Sequence, residues 1–249
     1  MQDFIQATIK ANEEIYQHIK DGISDELFVE TTVGAGGDVS SKLDLLAEEI
    51  FVKHLGTFGV IESEESGMIG KGEDAHIILD PIDGSSNALS GFPYFGTSVA
   101  LIDSSGLLRY AIVCNLANGD IFIKESNKDV IQGKLFSKDF TKPKEISNPK
   151  IGLFEKAYAN APLTALLDQE NLKFRAPGAI ALSLAYARSV EFVLFMGAFR
   201  IYDFAAGLAL CEGLEVIVEQ DYVIVSKDKD IANKIEELIK LTKTGVEDV

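Results

Sequence analysis

One stretch, His76-Ile77-Ile78-Leu79-Asp80-Pro81-Ile82-Asp83-Gly84-Ser85-Ser86-Asn87, constrains this chain more than any other. Ile77, Ile78 and Leu79 form a short apolar run of the buried-strand type. The strand is expected to stop at Asp80, because Pro81 has no N–H for further ladder pairing. Asp83-Gly84 is turn chemistry, and Ser85, Ser86 and Asn87 offer helix-capping side chains. A strand, a tight turn and a nascent helix follow, with two carboxylates three residues apart on the turn. Carboxylates beside a helix N-terminus suit a divalent cation together with an anion such as phosphate. Read alone, such Asp/Pro/Gly-rich segments most often form no more than a surface turn.

The stretch has company. Asp80-Pro81-Ile82-Asp83-Gly84-Ser85-Ser86-Asn87 resembles the D-P-[IL]-D-G-[ST]-x-N motif of the inositol monophosphatase and fructose-1,6-bisphosphatase superfamily. Glu64-Glu65-Ser66 upstream resembles that family's Glu-Glu-Ser segment. Downstream, Tyr202-Asp203-Phe204-Ala205-Ala206-Gly207 resembles its W-D-x-A-A-G motif. The three motifs occur in the family's order, and Lys42-Leu43-Asp44 with the short chain resembles the archaeal and bacterial dual-activity members.

The resemblance implies a Mg²⁺-dependent phosphomonoesterase acting on sugar or polyol phosphates, inositol monophosphate or fructose 1,6-bisphosphate or both. It implies that Asp80 bridges two ions, with Glu64 and the Ile82 carbonyl on one and Asp83 with Asp203 on the other. Two or three Mg²⁺ are expected per site, with Mn²⁺ able to substitute and Li⁺ and Ca²⁺ inhibitory. The nucleophile is expected to be a water oriented and deprotonated by Asp44 and Ser85 together with Glu64. The backbone N–H groups of Gly84, Ser85 and Ser86 are expected to hold the phosphate. Arg175 and Arg200, with Lys173 nearby, are candidates for a second phosphate or sugar hydroxyls, and read equally as surface cations. Assembly as a homodimer or homotetramer is implied as well.

Several of these residues carry a structural alternative. Asp203 can be the N-cap of a helix over 203–212, and Ser41-x-x-Asp44 reads as a capping box. Electrostatics favours a cation site: two carboxylates ~4 Å apart repel by about 4 kcal/mol at an effective dielectric of 20, and four converging would add several such terms. The haloacid-dehalogenase type is disfavoured, since it needs Asp-x-Asp where this chain has Asp80-x-x-Asp83. A 3′-phosphoadenosine nucleotide phosphatase and an inactive metal-binding regulator remain as alternatives.

The chain departs from the family pattern at three places. Tyr202 stands for the usual Trp. Glu212-Gly213-Leu214-Glu215 falls one residue early against Glu-Ala-Gly-Gly. Met196 stands where animal inositol phosphatases carry a polyol-binding Glu.

The 249 residues are 47% hydrophobic and 25% charged, an ordinary soluble composition. A net charge of −16 leaves no basic stripe for nucleic acid. Bound Mg²⁺ would supply the positive charge that an acidic protein needs to take phosphate esters. Acidic Asp3 and the lack of an uninterrupted apolar run argue against a signal peptide, and Arg188 with Glu191 breaks the most apolar segment, so no membrane span is expected. Cys114 and Cys211 lie far apart in apolar segments, which favours buried thiols and a cytoplasmic location. His18, His54 and His76 show no ligand spacing.

Periodicity predicts an amphipathic helix over 3–20, a Gly-rich mobile loop over 31–38, a helix with Leu43, Leu46, Ala47, Ile50, Phe51 and Leu55 inward, and a strand at Val60-Ile61. A polar loop is expected over 67–74. An antiparallel meander is expected at 99–102, 107–113 and 121–123, and a connection over 137–149. Strands are expected at 151–154, 172–174, 192–195 and a pair near 215–225, with helices at 162–169, 178–189, 203–212 and 228–242. The predicted architecture is an α/β (α+β) layered αβαβα sandwich, with a mainly antiparallel N-terminal unit over 1–145 and a smaller α/β unit over 146–249.

Overall fold

The computed structural model describes residues 2–72 and 75–244. Two sheets organise it. The first has seven strands in the order β4-β3-β5-β6-β7-β8-β9: β3 (Val60–Ser63), β4 (Gly67–Ile69), β5 (Ala75–Asp83), β6 (Gly96–Asp103), β7 (Leu108–Asn115), β8 (Asp120–Glu125) and β9 (Ile131–Lys134). Only β3 and β5 pair in parallel. The second has five strands in the order β11-β10-β12-β14-β13: β10 (Gly152–Glu155), β11 (Phe174–Arg175), β12 (Phe192–Met196), β13 (Glu215–Val218) and β14 (Tyr222–Ser226). Here β10 is parallel to both neighbours, and the other pairs are antiparallel.

Strand alternation sends successive side chains to opposite faces and so dictates three helical layers. Ile77 and Leu79 face Phe4, Ile15 and Phe51, from α1 (Gln2–Ile19) and α2 (Lys42–Leu55). Ile78, with Ala100 and Ala111, faces the other way onto Leu182 and Leu210, from α5 (Ile180–Ala185) and α6 (Ile201–Leu210). The far side of that helix pair covers Val193, Phe195 and Val223 of the second sheet. Leu194 and Ile224, on the sheet's remaining face, pack on α4 (Ala161–Gln169) and α7 (Lys229–Thr244). The central layer is thin because its helices meet closely: a Cβ on Gly207 would stand 2.7 Å from Leu184 Cδ1. The five layers match the predicted sandwich.

Local expectations changed in five places. The strand does not end at Asp80. β5 runs on to Asp83, which pairs with Gly96, and the missing Pro81 N–H is absorbed by a register shift between Asp80 and Asp83. The Gly-rich segment over 31–38 is half of a two-stranded ribbon, β1 (Glu30–Val33) with β2 (Val39–Ser41). β4 occupies part of the expected 67–74 loop, whose positions 73 and 74 lie outside the described residues. β9 extends the meander by one strand. The helix expected over 178–189 is α5 followed by a separate 3₁₀ turn at Ala187–Ser189.

Candidate active site

The carboxyl end of β5 feeds a tight turn into α3 (Ser85–Leu89). Gly84 caps that helix with φ at 90°, and no side chain caps it, so Ser85, Ser86 and Asn87 do not play the capping part expected of them. A Cβ at Gly84 would stand 3.0 Å from Ala179 Cβ and 3.1 Å from the Tyr94 carbonyl, which combines a left-handed backbone with no room for a side chain. Asn87 Nδ2 fastens α3 by donating to the carbonyls of Tyr94 and Pro177, each at 2.7 Å. The Leu182 N–H, in the first turn of α5, donates to Asp83 Oδ2 at 2.9 Å.

Glu64 stands in the turn after β3, where its N–H donates to the Leu79 carbonyl at 3.0 Å. Asp203 is the third residue of α6, whose cap position is Arg200, so Asp203 is not the N-cap that its sequence position suggested. A ligand oxygen from each of Glu64, Asp80 and Asp203 lies within 4.8 Å of the other two, and all three residues are buried. Asp83 lies outside that trio. Burial pushes all four carboxyls up, and mutual repulsion adds to it: Glu64 is raised to about 7, and Asp80, Asp83 and Asp203 are all above the usual carboxylate range.

Asp80 Oδ1 is the one buried side-chain oxygen or nitrogen without a hydrogen-bond partner among the described residues. A buried acceptor left unsatisfied costs about 1–3 kcal/mol, more if charged. Its neighbours Glu64 and Asp203 have only acceptor atoms to offer a metal. An all-oxygen donor set with an orphaned lone pair at its centre fits a hard divalent cation such as Mg²⁺.

Arg200 reaches into the same cluster. Its Nη1 donates to Glu64 Oε1 and to Asp38 Oδ2, each at 2.6 Å. Its Nε lies 2.9 Å from Asp203 Oδ2 and its Nη2 3.1 Å from Asp203 Oδ1. Burial pulls the guanidinium down, but Asp203, Glu64 and Asp38 outweigh it and hold Arg200 above its ordinary range. These residues border a cavity of about 560 Å³, onto which nine carboxylates face against two cations, Arg200 and Lys156.

Asp44 fills the capping role that the sequence offered, and it also faces the cavity. Ser41 Oγ accepts from the Leu43 and Asp44 N–H groups, and Asp44 Oδ2 accepts from the Ser41 N–H at 2.7 Å, a complete capping box at the start of α2. Its other oxygen, Oδ1, accepts from Ser85 Oγ at 2.6 Å. Ser85 Oγ is also 2.9 Å from the Ile82 carbonyl. Glu65, raised to about 7 by burial, is hydrogen-bonded by Ser40 Oγ.

Asp44, Glu64, Asp80, Ile82, Asp83, Gly84, Ser85, Ser86, Arg200 and Asp203 all border the cavity. Arg175 does not; it is exposed on edge strand β11, with Nη1 donating to the Phe174 carbonyl. Glu155, Lys156, Tyr158 and Phe195 border it too and were not anticipated. Lys156 has φ at 59° and its Nζ lies 5.1 Å from the centroid of the Phe195 ring. The signal that could have found it is topological: Lys156 follows the carboxyl end of β10, a strand parallel to both neighbours, where ligands of open α/β sheets gather.

A family model described as the inositol monophosphatase family matches residues 1–218. Bifunctional NADP phosphatase/NAD kinase of Methanococcus maripaludis is 25% identical over 94% of this chain and 46% of its own length. The chain thus spans about half the length of that relative, and 44% of the like-named protein of Methanocaldococcus jannaschii, which is 27% identical over 86% of this chain. Fructose-1,6-bisphosphatase/inositol-1-monophosphatase of Thermococcus kodakarensis is 29% identical over 70% of this chain and 66% of its own. Among solved structures, extragenic suppressor protein suhB of Bartonella henselae superposes with a TM-score of 0.75 at 23% identity, covering 96% and 98% of the two chains. The inositol monophosphatase of Thermotoga maritima gives 0.73 at 19%, covering 95% and 97%. At these identities the structures show a shared fold.

Proposed function

This chain belongs to the inositol monophosphatase family, and from that premise we propose that it is a Mg²⁺-dependent phosphomonoesterase of sugar or polyol phosphates, acting on inositol monophosphate, fructose 1,6-bisphosphate or both. The observation that carries the reading is the convergence of Glu64, Asp80 and Asp203 around the unpartnered Asp80 Oδ1, beside the first turn of α3. Glu64, Asp80, Asp203, Asp83 and the Ile82 carbonyl would hold two or three Mg²⁺. Those ions would polarise the phosphoryl oxygens and make water a better nucleophile at neutral pH.

The remaining work falls to the chain's own groups. Ser85 Oγ, 2.6 Å from Asp44 Oδ1, accepts a proton from the attacking water while passing its own to Asp44. Ser41 holds the other Asp44 oxygen through its N–H and its hydroxyl, 2.7 and 2.6 Å away, so the free oxygen is aimed at Ser85. First-turn N–H groups of a helix have no intrahelical acceptor, and those of Ser85 and Ser86 hold the phosphate. Arg200 and Lys156 are the cations within reach of a second anionic group on the substrate.

A second reading has its own support. Two relatives carry NADP phosphatase in their names, and Tyr158, 84% exposed at the cavity, offers a ring face to a nucleotide base. Buried Cys114 and Cys211 thiols suit a reducing, cytoplasmic setting, and no described helix is long and apolar enough to cross a membrane. Homodimeric or homotetrameric assembly belongs to the same proposal. The test is phosphate release from inositol 1-phosphate, fructose 1,6-bisphosphate and NADP⁺, each with Mg²⁺ and with excess chelator. Mg²⁺-dependent release from either of the first two supports the leading reading, and release from NADP⁺ alone supports the second. Release that continues in chelator overturns both.

A further inference from the structure

The cavity that would take the divalent cations already contains a cation of the chain's own. Arg200 engages both oxygens of Asp203 and one oxygen of Glu64, two of the three converging carboxylates, of which Asp80 is the third. A hard cation takes its ligand oxygens at about 2.0–2.1 Å, so it cannot share them with a guanidinium that lies 2.6 to 3.1 Å from the same atoms without two positive groups meeting. Each Asp203 oxygen keeps a lone pair beside its single Arg200 bond, so the conflict is one of charge: a divalent ion on Asp203 would lie against the guanidinium and drive it off.

We infer that Arg200 is a built-in competitor for the cation site, exchanging with the divalent ion for the carboxylates of Glu64 and Asp203. The inference rests on the proposed reading of the site as a Mg²⁺ site and adds the device that sets its affinity. Asp38 gives the displaced guanidinium a place to remain. It is exposed and belongs to the ribbon turn. That turn is fixed against the site because the Gly36 N–H donates to the Glu64 carbonyl at 2.7 Å and the Ala35 N–H to that of Glu65 at 2.8 Å. Gly36 is required for this approach, since a Cβ there would fall 2.4 Å from Glu64 Cγ. Asp38 therefore keeps its place while Glu64 and Asp203 change partners, and Arg200 stays at the cavity, free to meet an anionic group of the substrate.

Exchange makes two measurable demands. Removing the competitor should tighten divalent binding, and it should leave the metal-stripped protein with converging carboxylates and no counter-charge. We would titrate Mg²⁺ into the chelator-stripped full chain by calorimetry, comparing wild type with Arg200→Met and Arg200→Lys. Charge-assisted contacts of this kind are strong enough that Arg200→Met should bind Mg²⁺ about tenfold more tightly. Arg200→Lys, which keeps the charge without the fork, should fall between the two and serves if the methionine variant does not fold. Melting of the stripped Arg200→Met protein should occur below wild type, and Mg²⁺ should raise it by more. Equal or weaker Mg²⁺ binding in folded variants overturns the inference and leaves the proposed function standing. Absence of Mg²⁺ binding in wild type and variants alike overturns both.

Discussion

Ser85 Oγ lies 2.6 Å from Asp44 Oδ1, a contact that joins the start of α3 to the start of α2 across 41 positions of sequence. Asp44 is buried, and its second oxygen is held by the Ser41 N–H and hydroxyl. The carboxylate is thus oriented by a helix cap and points its free oxygen at a hydroxyl on the cavity wall. One residue serves helix α2 and the proposed proton transfer together.

Substitution at each end separates the two roles. Ser85→Ala leaves the capping box intact and removes the hydroxyl, so turnover should fall by about a hundredfold or more while melting shifts little. Asp44→Asn should lose comparable activity and also about 1 kcal/mol of stability through the weakened cap. Steady-state kinetics with Mg²⁺ and thermal melts on both variants check this. Near-normal turnover in Ser85→Ala would remove the hydroxyl from the reaction.

Asp203→Asn is expected to lower kcat/KM by about a hundredfold or more, the scale of a lost cation contact. Asp203 caps nothing, since α6 begins two residues before it. Any loss therefore reflects the carboxylate's charge and its pair with Arg200. Mg²⁺ titration calorimetry should show weakened binding in the same variant, and unchanged binding would take Asp203 out of the ligand set.

Glu64 and Glu65 are raised from the usual 4.5 to about 7, with burial as the largest cause. A carboxyl whose folded-state pKa is raised binds its proton more tightly in the fold than in the unfolded chain. The stability it adds is complete below pH 4.5 and is lost as pH rises through about 7. Chelator-stripped protein should melt at progressively lower temperature across that window. Mg²⁺ should reduce the decline, because a bound cation favours the ionised carboxylates. Scanning calorimetry over the window, with and without Mg²⁺, measures both effects, and a flat profile in chelator would contradict the assignment.

Lys156→Ala should harm turnover of fructose 1,6-bisphosphate by about tenfold to a hundredfold, the scale of one charge-assisted contact. Turnover of inositol 1-phosphate, which lacks a second phosphate, should change far less. Arg175→Ala should leave both reactions near wild type, because Arg175 is turned to the surface and does not border the cavity. Comparing kcat/KM on the two substrates decides between the cations.

Local rules made β5, its turn and α3 legible from sequence, because an apolar run, Asp83-Gly84 and the following polar residues act over a few positions. The five-layer order was legible as well, since each helix and strand carries its own buried stripe and the motif resemblance supplied the stacking. Short-range reasoning went wrong where a partner overrode propensity. Pro81 did not end β5, because a register shift absorbs its missing donor. Asp203 reads as a cap by position, yet the helix starts earlier and its carboxylate turns to Arg200, Glu64 and Asp80. The roles of the cations were decided by tertiary structure alone. Arg175 and Arg200 look alike in sequence, but one ends an edge strand and the other sits among carboxylates brought from the ribbon, β3 and α6. Lys156 was missed for a related reason: only the parallel pairing of β10, a tertiary feature, marks its position at the strand's carboxyl end as one facing the cavity.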